Sequence, residues 1–375
     1  NKRYAARIAL GMAIGGLVGG GLLTAMTSLA GAQMAAWLTP LLVAAVLVHG
    51  ARVTRRLPPL DAAAPASPEG LIESMKVIPR LLARYPLIAL MAAAMFLNIV
   101  LQCISEFSAF SIYTAHFPRI DQLAVFLGAV NAGLSLAGFL VIVLFTGRQL
   151  PRLGVPKMNL VYPAHDVVTF AVLAVSPSLP AGILANVSYD PFEHGIDVPV
   201  TTMNYNAIRH RFVGRVRVFI DGVVFPLGLA GAGLLLFGLA ERLDLRSIAA
   251  FALVLSLVLL VLHWNVGKHY ARGLIEMLRD GAVELDQVES GLRLPPENVG
   301  EIHAMLAGDA RTALIGLEMA LRSDGDIAAD EIAAALATLP DAQARQVLPR
   351  LAAGPGGGDL VARLAETGPP GLRRI

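Results

Sequence analysis

Residues 86–107 read PLIALMAAAMFLNIVLQCISEF, a run of twenty-two residues in which Glu106 is the only charge. A helix of about 20 apolar residues is what crosses the roughly 30 Å hydrocarbon core of a bilayer. Runs of this kind recur. They lie at 5–27, 33–51, 86–107, 121–147, 158–176, 179–195, 213–239 and 246–267, and the spacing predicts eight spans. Pro163, Pro177 and Pro180 interrupt the fifth and sixth. The composition agrees, with 55% hydrophobic and only 15% charged residues and a mean hydropathy of +0.64. Few soluble domains look like this. The single cysteine, Cys103, excludes an internal disulfide.

Charge fixes an expected orientation. With Lys2 and Arg3 cytoplasmic, alternate connections carry Arg52, Arg55, Arg56, Lys76, Arg80 and Arg84, then Arg148, Arg152 and Lys157, then Arg209, Arg211, Arg215 and Arg217, then Lys268 and Arg272. The intervening connections hold only Arg119, Arg242 and Arg246. Basic loops stay inside, so both ends of the chain are expected on the cytoplasmic face of the cell inner (plasma) membrane.

Beyond Gly273 the chain changes character. It holds nine arginines, no lysine and sixteen acids, a net charge of −7, against +9 for residues 1–272. Opposite charge predicts attraction between this tail and the basic loops, weakening with salt. The tail also echoes itself, since ARTALIGL at 310–317 returns as ARQVLPRL at 344–351, a shift of 34 residues. Ile332, Leu336 and Leu339 lie between the copies at helical spacing. A period in the thirties made of paired helices fits an α-solenoid of HEAT type.

The polar residues of the spans form stripes. In the third, Asn98, Gln102 and Glu106 fall four apart; the fourth adds Asn131; the fifth carries Asn159, Tyr162, Asp166 and Thr169. In the sixth, Asn186, Asp190, Glu193 or His194, and Asp197 follow helical spacing, with Gly195 and Pro199 expected to end the helix. In the seventh, Arg217 and Asp221 are four apart. A charge facing lipid costs at least about 2.5 kcal/mol, so such stripes are expected to face a shared interior. Asn98, Gln102, Glu106, Asn131, Tyr162, Asp166, Asn186 and Asp190 are candidates for a substrate cavity. Glu193, His194, Asp197, Arg215, Arg217 and Asp221 are candidates for a gate or latch, although acids at the inner boundary also fit simple solvation at headgroup level. His165 beside Asp166 fits either a proton relay or a buried pair. No metal-ligand spacing, phosphate-cradling loop or nucleophile with its base is readable, so neither an enzyme nor a cofactor is expected.

The run YDPFEHGIDVP (189–199) followed by GRVRVFID (214–221) resembles a signature of the nucleotide transporter family, the ATP/ADP translocases of plastids and intracellular bacteria, within the major facilitator superfamily. The opening NKRYAARIALGMAIGGLVGGG is similar to that family's fifth helix. The resemblance implies an all-α, polytopic bundle of major facilitator type. Residues 1–52 would close the N-terminal bundle, 53–85 form the inter-bundle loop, 86–272 make the C-terminal six-helix bundle, and 273–375 the cytoplasmic HEAT-like repeats. The eight spans would be helices five to twelve, and the first four would belong to a part of the same protein preceding Asn1. It implies a transporter of a nucleotide or other small anionic solute, working by alternating access in the lipid bilayer. The repeats would bind a cytoplasmic protein or precede a cyclic-nucleotide-binding domain after residue 375; no nucleic acid partner is expected. The chain departs from the pattern at Glu193 and His194, where the family has lysine and glutamate. A receptor or anchor, or a lipid flippase or scramblase, fits the same fold.

Overall fold

The computed structural model describes residues 2–33, 37–56, 71–279, 299–320, 327–352 and 361–362. Residues 57–70 of the expected inter-bundle loop, the stretch 280–298 and the glycine-rich end of the tail lie outside the described residues, as does the side chain of Asp190. Every described element is helical, and no strand occurs among the described residues. In chain order they are α1 (Lys2–Ala30), α2 (Leu38–Arg56), α3 (Leu71–Arg84), α4 (Pro86–His116), α5 (Ile120–Leu140), the π-helix π1 (Val141–Thr146), α6 (Gly147–Met158), α7 (Val161–Val175), α8 (Leu179–Val187), π2 (Ser188–Asp197), α9 (Val198–Asn204), a 3-10 turn (Tyr205–Ala207), α10 (His210–Phe219), π3 (Ile220–Val224), α11 (Phe225–Ala240), α12 (Leu245–Arg279), α13 (Val299–Leu306), α14 (Ala310–Ala320), α15 (Ala329–Thr338) and α16 (Asp341–Ala352).

Four helical stretches among the described residues are long and apolar enough to cross a membrane: Pro86–His116, Ile120–Leu150, His210–Ala240 and Leu245–Met277. They are the third, fourth, seventh and eighth expected spans. The first two fall in α1 and α2, whose described apolar stretches Gly15–Leu29 and Pro40–Val53 are shorter. The fifth is interrupted by a turn at Asn159 and Leu160, and the sixth is divided between α8 and π2. Asn159 therefore does not share a helix face with Tyr162, as its spacing predicts.

The chain divides into two compact units. The first comprises residues 1–146, 161–199 and 214–262. Its apolar core gathers Leu101 and Ile104 of α4, Phe170 of α7, Ala185 of α8 and Leu259 of α12. Its outer surface is apolar too: Leu234 and Phe237 on α11 are 76% and 73% exposed. A helix greasy on both its packed and its open sides is suited to lipid. Hydroxyls inside the helices are absorbed by the backbone, with Ser108 donating to Ile104 O at 2.7 Å and Ser111 to Phe107 O at 2.7 Å.

Helix packing in this unit uses glycine. A Cβ on Gly20 of α1 would lie 2.7 Å from Ala132 N and 2.8 Å from Gly128 O of α5, while one on Gly128 would collide with Thr24 Oγ1. The two backbones touch where side chains would separate them, the small-xxx-small mode of helices in lipid. Gly228 of α11 meets Ile99 in the same way, its missing Cβ 3.1 Å from Ile99 Cβ.

The second unit comprises 147–160, 200–213 and 263–375. Gly154, at φ 72°, kinks α6, and Pro156 beyond the kink packs on Gly267 of α12. Asn159 and Asn204, both buried, exchange side-chain hydrogen bonds at 3.1 and 2.9 Å. In the tail, Ile302, Met305, Ala313, Leu317, Leu336 and Val347 are buried. The echoed segments open α14 and run through α16, with α15 between them. Ala313 and Leu317 of one copy and Val347 and Leu351 of the other, 34 residues on, are all buried.

The α1–α5 contact yields a contrast that thermal unfolding in detergent can read. Gly20→Ala places a methyl against backbone that cannot swing aside, and it is expected to destabilise by about 1–3 kcal/mol. Gly21→Ala, with nothing within 4 Å of its new Cβ, is expected to leave the midpoint unchanged or raise it through helix propensity.

Candidate functional site

Proline sets the local structure of the segment that carries the acids. Pro191 has no N–H for the Val187 carbonyl four residues back, and Pro199 has none for that of Gly195. The chain does not stop at either. It widens to the π2 turn, which closes with Val198 N–H donating to Glu193 O, five residues back. Helix thus continues from Leu179 to Asn204. This corrects the expectation that Gly195 and Pro199 end it. The Gly195 carbonyl that Pro199 leaves without a donor accepts Thr146 Oγ1–H at 2.6 Å. Glycine at 195 permits the approach, since a Cβ there would sit 2.8 Å from Val141 Cγ1.

Against π2 lies α7, whose polar residues meet the start of that turn. Ser188 Oγ lies 2.8 Å from His165 Nδ1. Thr169 Oγ1 lies 3.4 Å from the same imidazole nitrogen and 3.5 Å from Ser188 Oγ. Phe192 stacks on the His165 ring, with centroids 4.3 Å apart and planes 25° apart. Asp166 and Ser188 are each 3% exposed and Thr169 is fully buried, while His165 is half-buried. The carboxyls of Asp166, Glu193 and Asp197 lie within electrostatic range of one another and of the buried phenol of Tyr162. Ionisable groups gathered in this way inside a membrane helix bundle are costly unless they are paired or neutralised.

The other stripe residues divide. Asn186 of α8 donates its amide to Tyr113 OH of α4 at 3.0 Å, and Ser105 of α4 donates to Ala185 O at 3.2 Å, so α4 and α8 are pinned by side-chain bonds. Asn98 is buried, and its Oδ1 has no hydrogen-bond partner. Gln102, Glu106, Glu193, Asp197 and Arg215 are half-buried; His194, Arg217 and Asp221 are exposed. Asn131 is exposed on α5 and does not join the buried set. Ser188 and Thr146 escaped the sequence reading because a serine or threonine in an apolar run is ordinary. Their only signal is distance from a proline, and that needs the fold to be read.

Among the described residues, no His, Cys, Asp and Glu side chains come together as a metal-binding set. No family model, no curated protein and no solved structure matches this chain.

Replacing Thr146 tests the π1–π2 bond. Thr146→Val keeps the shape but leaves the Gly195 carbonyl without its donor, an expected loss of about 1–3 kcal/mol. Thr146→Ser is expected to stay near the parent. Unfolding midpoints in mixed micelles of the two variants measure the difference.

Proposed function

We propose that this chain is the membrane domain of a transporter of major facilitator type, resembling the ATP/ADP translocases, which moves a small anionic or nucleotide-like solute by alternating access. The observation that carries the reading is the gathering, in the first unit, of Tyr162 and Asp166 of α7 with Glu193 and Asp197 of the π-helical segment π2. Ionisable residues inside membrane helices mark substrate and ion paths. Interrupted helices, whose backbone groups are freed from the regular ladder, are where transporters build such sites. Small-residue seams such as Gly20 against Gly128 let one helix rock on another without unpacking a jigsaw of large side chains.

The acids also limit the solute. A nucleotide triphosphate would be repelled by bare carboxylates, so an anionic solute needs these acids paired or neutralised. A latch supplies this: Asp190, Glu193 and Asp197 face Arg215 and Arg217 across the cytoplasmic mouth in one state and part in the other. In this reading both ends are cytoplasmic, and the tail is a HEAT-like regulatory or partner-binding region, supported by the matched burial of residues 313 and 317 with 347 and 351.

The latch has a direct test in vesicles. In a Cys103→Ser background with a reporter cysteine at Ser105, Glu193→Gln with Asp197→Asn is expected to raise labelling from the cytoplasmic side by up to about tenfold. That is the effect of several weak pairs together shifting a two-state balance by about 1.4 kcal/mol. Exchanging those acids with Arg215 and Arg217 is expected to restore part of the protection. Unchanged labelling in the folded neutral variant overturns the latch.

A further inference from the structure

We infer that the basic end of α12 carries a binding site for the headgroup of an anionic phospholipid, made by Trp264, Lys268 and Arg272. The site needs only α12 in lipid and stands apart from any transport activity. Residues 254, 258, 261, 264, 268 and 272 follow one another at intervals of three or four, so they share one face of the helix. Val254, Val258 and Val261 on that face are exposed, and so is Trp264, at 49%. Past Trp264 the face changes to Lys268 and Arg272. An open apolar stripe that ends in tryptophan and then in bases is how a helix leaves hydrocarbon for the headgroups.

The heights along the axis fit a headgroup. At about 1.5 Å per residue, the backbone of Lys268 stands about 6 Å and that of Arg272 about 12 Å past Trp264. Side chains of a helix lean toward its N-terminus, which from here is the direction of the bilayer. Lys268 shows the lean, since its Nζ lies over the Trp264 ring, 5.2 Å from the centroid. A cation–π contact of this kind leaves the charge of the ammonium in place. The same lean carries the Arg272 guanidinium back toward the level of Lys268. The polar layer on each side of the hydrocarbon is about 5–8 Å deep, so both cations fall where lipid phosphates lie.

Charge selects the occupant. Apart from the tail, the second unit consists of 147–160, 200–213 and the end of α12, and these segments hold three, two and three lysines or arginines against Glu276 as their one acid. A zwitterionic headgroup gains little from such a surface, whereas an anionic one gains about fivefold in occupancy for each base at its level. Arg272 is exposed, and its planar fork matches two oxygens of one phosphate. The acidic tail offers the charge without an apolar chain. The exposed indole at the foot of the two bases is matched by a molecule that has both. Gly267, on another side of the same turn, receives Pro156 of α6, its missing Cβ 3.0 Å from Pro156 O, so a bound headgroup would hold α12 at the depth where α6 packs on it.

The chain has two tryptophans, so Trp37→Phe leaves Trp264 as a fluorescent reporter inside the site. With the full chain in phosphatidylcholine vesicles, its quenching by phosphatidylglycerol brominated on the acyl chains is compared with quenching by equally brominated phosphatidylcholine. The anionic lipid is expected to be preferred about fivefold or more. Arg272→Gln is expected to bring the preference below about twofold, with quenching by brominated phosphatidylcholine retained as the sign that α12 still lies in lipid, and Arg272→Lys to keep most of it. Equal quenching by the two lipids overturns the site and leaves a plain interfacial anchor or a surface held by the tail. Quenching by neither lipid removes Trp264 from the bilayer, and the site with it. A preference unchanged in Arg272→Gln defeats the assignment of its residues. A preference lost to inorganic phosphate, but not to chloride of equal ionic strength, overturns the lipid in favour of a soluble phosphate.

Discussion

A helix in lipid has no water to complete its backbone, and the first unit is arranged around that constraint. Each proline inside an apolar run removes a donor from a carbonyl that no solvent will serve. At Gly195 the carbonyl deprived by Pro199 takes its hydrogen from Thr146, on a neighbouring segment that is itself wound as a π-helix. The bond does two things. It satisfies an orphan acceptor, and it ties π1 to π2 at the level where Glu193 and Asp197 emerge. The third π-turn, Ile220–Val224, likewise runs up to a proline, Pro226, near the start of α11. Wider turns next to prolines keep the helices running where a strict i−4 ladder would break.

Association of the helices has a separate cause. Lipid tails are as apolar as leucine side chains, so burial supplies little drive, and close contact has to supply it instead. Glycine brings backbones within reach at Gly20 and Gly128 and lets Tyr113 lie against Gly182, whose missing Cβ would stand 2.9 Å from the ring. Tyr113 then uses its hydroxyl on Asn186 and its ring edge on Phe126, with centroids 4.9 Å apart. One tyrosine thereby links α4, α5 and α8 through three kinds of contact. The tail is held by buried aliphatic faces and a His303–Glu331 pair.

Much of this was legible in the sequence, for physical reasons. Spans at 86–107, 121–147, 213–239 and 246–267 are uninterrupted, so hydropathy alone locates them. The tail's change of charge and its 34-residue echo survive in the placement of α14 and α16. What could not be read were effects that depend on a partner. The helical stripe that joins Asn159 to Tyr162 assumes an unbroken helix, whereas Asn159 pairs with Asn204 instead. Glycine and proline near 195–199 spell a helix end in water, where a freed carbonyl finds solvent. Here it finds Thr146, and the helix goes on. Asn131 has the right composition for a polar interior and the wrong azimuth on α5.

The acids and the backbone are one problem rather than two. Ser188 opens π2 and Phe192 lies four residues along it, and both meet His165, one through its hydroxyl and the other through its ring. A turn of π-helix inserts one residue relative to an α-helix, which rotates whatever follows by about 100° around the axis. Reversion of the segment to α-helical register would leave Ser188 and Phe192, four residues apart, on one face, and would rotate the residues that follow them. The same reversion would withdraw the Gly195 carbonyl from Thr146. The proline that forbids a regular ladder and the threonine that completes the broken one therefore belong to one arrangement. A chain that placed its acids on an unbroken helix would have had no means of holding that geometry in lipid.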